Sequence, residues 1–130
     1  MRLKSVLIIY LIIFANQSFA FEQVWKMGSM FLNMNEDSSK NILYSNSCSK
    51  KDCLALRLTK DITFKNLRKD SLLGGKNPGA VLCKEVLKMK IVYLKDMSGN
   101  ENTFCLFNDN SMISSSSIAY LANLNEKKIK

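Results

Sequence analysis

The sequence predicts a small α+β domain: a small antiparallel sheet with two or three helices, stapled by two disulfides. Three observations carry that expectation. Residues 77–88 combine helix-start chemistry with an apolar stripe at helical spacing. Two β-rich runs, residues 89–94 and 103–107, flank a segment dense in turn formers. Four cysteines follow a stretch with the pattern of an export leader.

Met1, Arg2, Leu3 and Lys4 form a basic start, and residues 6–15 are an unbroken apolar run. Ser18-Phe19-Ala20 is a small-x-small cleavage site, so residues 1–20 read as a signal peptide and Phe21 as the first mature residue. A membrane span needs about 18 apolar residues or more, so no stable span is expected. No cysteine follows the cleavage site, which argues against a lipoprotein. The expected destination is the periplasm or the cell exterior. Residues 21–130 then form one domain, long enough to bury roughly 65% of its unfolded surface.

Phe21, Val24, Met27 or Gly28, and Phe31 follow helical spacing, so residues 21–34 read as an amphipathic N-terminal helix. Residues 35–41 are a polar loop. Residues 42–44 and 54–59 read as two strands of a hairpin, flanking a polar turn that carries Cys48 and Cys53. Residues 61–64 read as a further short strand. Residues 68–76 are an exposed connection, made flexible by Gly74 and Gly75.

Asn77 suits an N-cap, and Pro78 the first helical position, where no amide hydrogen is needed. Val81, Leu82, Val86 and Leu87 form the buried stripe, with Cys83 inside the helix. Residues 89–94 and 103–107 are the paired strands, Gly99 lies in the turn between them, and Cys105 is on the return. Residues 108–111 form a second turn or a helix cap. Serines 114–117 begin a last helix that runs through Ile118, Tyr120 and Leu121, and residues 126–130 are a frayed tail.

The residues Asn77, Pro78 and Cys83, followed after the two strands by Cys105, Phe107, Asp109 and Ser111, resemble the pattern of a family of small secreted bacterial domains of unknown function, often given a haemolysin label. That pattern reads Asn-Pro-Ala-Ser, an aromatic, Cys; then Gly-Gly; then Cys, Phe and Asp-Gly-Ser; then Trp-Ala and a further cysteine pair. Here Leu82 replaces the aromatic and Asn110 the glycine. The Gly-Gly, Trp-Ala and later cysteines are missing. The likeness covers roughly residues 76–120. It implies a helix-strand-strand-helix unit over residues 77–121, and it attaches a membrane-active label that names no established activity.

Four cysteines in an exported chain imply two disulfides, for which three connectivities exist. Cys48–Cys53 and Cys83–Cys105 are favoured, because each joins adjacent elements. A metal site is not expected: the Cys-x4-Cys spacing is loose for zinc, and the chain has no histidine. Lack of histidine also excludes Ser-His-Asp and Cys-His hydrolysis in their usual forms. No catalytic motif stands out, so no enzyme, catalytic residue or cofactor is expected.

The formal net charge is +8, and +6 once Arg2 and Lys4 are removed. Scattered lysines, including Lys26, Lys76, Lys84 and Lys95, read as a solvated surface or as attraction to an anionic surface or an acidic protein of the envelope. Nucleic acid is not expected, because no basic stripe interleaved with aromatics is visible. The sequence thus points to an exported, non-catalytic binding or interaction module. The alternative is a membrane-active, haemolysin-like factor, and a small hydrolase is a weaker third.

Overall fold

A computed structural model of the chain describes residues 21–49 and 52–130. The leader expected at residues 1–20 lies outside them. Six strands form the frame: β1 (Phe21–Met27), β2 (Met30–Asp37), β3 (Ile42–Ser45), β4 (Lys90–Asp96), β5 (Glu101–Leu106) and β6 (Met112–Ser114). Among the described residues a single 3-10 turn (Asn46–Ser49) and three longer helices accompany them: α1 (Leu54–Thr59), α2 (Pro78–Val81, widened over Leu82–Val86) and α3 (Ser115–Ile129).

The strands close into an antiparallel barrel in the order β1-β2-β3-β6-β5-β4. This corrects the expected α+β fold, a small antiparallel sheet with two or three helices. The reason lies in residues 21–37. Val24 and Lys26 turn outward while Trp25 turns in, and the alternation continues through β2, where Met34 is fully buried. That is a period of two, not the helical period read from Phe21, Val24 and Phe31. Gly28 and Ser29 connect Met27 to its partner Met30 as a two-residue hairpin turn. Gly28 supplies the positive φ, 61°, that such turns need.

The barrel interior is apolar. Trp25, Met34, Val92, Leu94, Phe104 and Met112 meet there, and the Trp25 and Phe104 rings pack edge to face at 5.2 Å. A second core lies outside the barrel, between β5–β6 and the helices. Cys83, Cys105, Phe107, Ile113, Ile118 and Ala122 belong to it. Neighbouring residues of one strand therefore feed different cores: Phe104 points in and Cys105 points out to the helices. Among the described residues the helices pack against β3, β6, β5 and the start of β4.

Residues 54–59 are helix α1, not the strand expected, so no hairpin brackets Cys48 and Cys53. Leu54, Ala55 and Leu56 are good helix formers, and Thr59 Oγ1 donates to the Ala55 carbonyl. Residues 61–64 form no strand either. The backbone of this segment is held by α3: Asn125 Nδ2 donates to the carbonyls of Lys60 and Ile62, and Glu126 accepts from Phe64 N–H. The C-terminal helix accordingly runs to Ile129, through the tail expected to fray.

Candidate functional site

The residues singled out by the sequence gather in two places, both structural. Asn77 caps α2 through its Oδ1, which accepts from Ala80 N–H at 3.2 Å, and Pro78 takes the first helical position. Cys83 and Cys105 are bonded, Cα–Cα 5.7 Å, and tie α2 to β5. Cys48 and Cys53 are bonded at Cα–Cα 5.2 Å. Disulfides are compatible with an exported protein.

The second place is the start of α1. Its own N-cap residue, Cys53, makes no side-chain cap. Asp109 and Ser111 supply one from the far end of the chain. Asp109 Oδ2 accepts from Leu54 N–H at 2.8 Å, and Ser111 Oγ from Ala55 N–H at 3.0 Å. Asp109 also accepts from Ser111. Desolvation pushes the Asp109 carboxyl up, but the hydrogen bonds from Leu54 and Ser111 outweigh it and hold the group below its usual range. Asn110 sits between them at φ 64°, a left-handed conformation that asparagine tolerates. Phe107 is buried beneath the turn. These residues shape a corner and present no open chemistry.

The open chemistry lies on the uncovered wall. β1 meets β4 at only two positions, Trp25 opposite Asp96 and Lys26 opposite Lys95. Lys26 and Lys95 face outward together, and like charges directly opposite one another oppose sheet formation. Past Lys26 the β1–β2 ribbon leaves the edge of β4. A depression of about 340 Å³ opens there, lined by Lys26, Gly28, Tyr93, Lys95 and Glu101. Lys26 Nζ lies 5.2 Å from the centre of the Phe31 ring. Phe31 and Tyr93 are each 61% exposed.

Asp96, next to Lys95, is committed elsewhere. Its carboxylate accepts from the Asn100 side chain and backbone and from Ser98 N–H, which hold it below its usual range. Among the described residues the ion pairs are Lys40–Asp37, Arg57–Asp52 and Arg68–Asp70; Lys26 and Lys95 are in none of them, although Glu101 is the cross-strand neighbour of Lys95. The site offers two ammonium donors, one carboxylate acceptor and exposed aromatic faces.

In the sequence Lys26 and Lys95 are two of many scattered lysines, and no motif marks Tyr93 or Glu101. Only strand pairing between distant segments brings them together. Among the described residues no cluster of three or more metal-ligating side chains occurs, and no helix is long and apolar enough to cross a membrane. Comparison with protein-family models, curated proteins and solved structures finds no match to this chain.

Proposed function

We propose that the chain is a non-catalytic binding module of the bacterial envelope, periplasmic or extracellular, that holds an anionic partner on the β1–β4 wall. The observation carrying this reading is the Lys26–Lys95 pair. Glu101 stands opposite Lys95 on β5, yet among the described residues neither lysine is in an ion pair, and an anion bound between Lys26 and Lys95 relieves their repulsion. Exposed aromatic rings beside them add contact area to a ligand. The absence of histidine and of a catalytic motif in the sequence supports a binding role over a hydrolytic one.

Titration with trigalacturonate at low salt tests the reading. Lys26→Gln with Lys95→Gln is expected to weaken binding about tenfold or more. Lys60→Gln with Lys65→Gln, the same change of charge at residues that line no part of the depression, is expected to leave binding within about twofold. Equal losses in both variants sink a defined site in favour of diffuse attraction. Lysines beside exposed aromatics also suit a membrane surface, so the haemolysin-like reading has its own test. Dye release from phosphatidylglycerol vesicles, lost on Phe31→Ala with the fold retained, would favour it.

A further inference from the structure

The outward face of β4 carries Ile91, Tyr93 and Lys95 at alternate positions. Tyr93 and Lys95 line the depression described above. Ile91 lines a second depression, about 330 Å³, with Lys76, Asn77, Lys84 and Glu85 of the α2 segment among its walls. Each depression therefore presents two lysines and one glutamate. Ile91 and Lys95 are about 13 Å apart along the strand at ~3.3 Å per residue. Tyr93 stands between them, its ring uncovered. Among the described residues Lys76 and Lys84 are in no ion pair, as Lys26 and Lys95 are not.

We propose that the two depressions are successive subsites of one groove along β4, which binds a linear acidic polysaccharide with carboxylates on repeating sugars. The proposal rests on the reading of the Lys26–Lys95 depression as an anion site and extends it to ligand class and length. Each lysine pair takes a carboxylate of the polymer. Glu101 and Glu85 accept hydrogen bonds from sugar hydroxyls, and Glu85 is already oriented by Ser71 Oγ at 2.7 Å. The Tyr93 ring packs against the apolar face of the intervening sugar. A nucleic-acid strand fits less well. Base stacking uses successive aromatics, where this groove offers Tyr93 alone.

The test is a length series of oligogalacturonates, from dimer to octamer, titrated into the protein. Affinity is expected to rise at least tenfold over a narrow range of length, once one chain reaches both subsites. Lys76→Gln with Lys84→Gln is expected to flatten that dependence, whereas Lys60→Gln with Lys65→Gln keeps it. Tyr93→Ala is expected to weaken the longest oligomers most, with an unchanged melting profile. Dimer and octamer binding equally per chain, with loss in the Lys26/Lys95 variant, overturns the groove and leaves the single anion site standing. No binding at any length overturns both. Equal affinity for polyglutamate or an oligothymidylate of matched charge overturns the assignment to a polysaccharide.

Discussion

At the scale of single residues, the most consequential contacts are those that reach across the chain. Asp109 and Ser111 cap a helix that begins at Leu54. Asp109→Ala is expected to lower stability by about 1 kcal/mol, the usual cost of a lost cap, and Asp109→Asn by less, both read from denaturant melts. Ser111→Ala is expected to cost about 1–2 kcal/mol, since it orphans a buried amide. The Asp109 pKa is depressed in the fold, so its contribution is present above the unfolded value of 3.8 and is lost as pH falls through the folded value. Asp37, held down by Ser39 and Lys40, and Asp96, held down by Asn100, share that sign. Stability is therefore expected to decline on acidification below pH ~4. Asp109→Asn should flatten part of that decline in melts across the acid range. Gly79 acts through space it does not fill. A Cβ there would stand 1.7 Å from the Ser115 carbonyl oxygen, so Gly79→Ala is expected to cost about 3 kcal/mol or prevent folding.

Among the elements, α2, β4, β5 and α3 behave as one clamped unit. The Cys83–Cys105 bond fastens α2 to β5 inside the second core, where both cysteines are fully buried. Cys83→Ala with Cys105→Ala is expected to lower stability by about 3 kcal/mol, against about 2 kcal/mol for the Cys48 and Cys53 pair, which closes a shorter loop. Non-reduced peptide mapping with denaturant melts checks both. This C-terminal unit was legible in the sequence because its signals are local. The Asn-Pro cap, the turn around Gly99 and the β-branched runs each act over a few residues. The first strands were not legible. Phe21, Val24 and Phe31 are exposed on the finished molecule, and their helical spacing concealed the alternation of Trp25 and Met27 with Lys26. Residues 54–59 misled for another reason: their helix is capped by Asp109 and Ser111, groups that no reading of the local sequence supplies. Lys26, Tyr93 and Lys95 gather only because β1 pairs with β4, a contact without a local signature.

For the whole molecule, barrel closure explains how so small a chain keeps two apolar cores. Helices shield β5 and β6, the interior fills the barrel, and the β1–β4 wall is left bare for contact. The closure is uneven, however. β1–β2 are joined at seven residue pairs and β4–β5 at six, whereas β1–β4 is held at two and β3–β6 at one, Tyr44 opposite Ile113. Ser45 reinforces the second seam: its hydroxyl donates to the Met112 carbonyl and accepts from Met112 N–H. Two meanders, β1–β3 and β4–β6, thus meet along two narrow joints. Native-state hydrogen exchange is expected to release the amides of β1 and β2 through a partial opening at lower free energy than those of β4 and β5. Equal free energies in all four strands would show that the joints open only with the whole. The chain between the meanders, residues 46–89, is long. From Leu54 onward it is fastened to the C-terminal part by Asp109, Ser111, Asn125 and Glu126, so a first meander that lifts off one copy to close a neighbour's barrel with the same residue pairs must hinge within residues 46–53. Refolding at high concentration is expected to yield some reciprocally exchanged dimer, in which each β4 wall is completed by the other copy's β1.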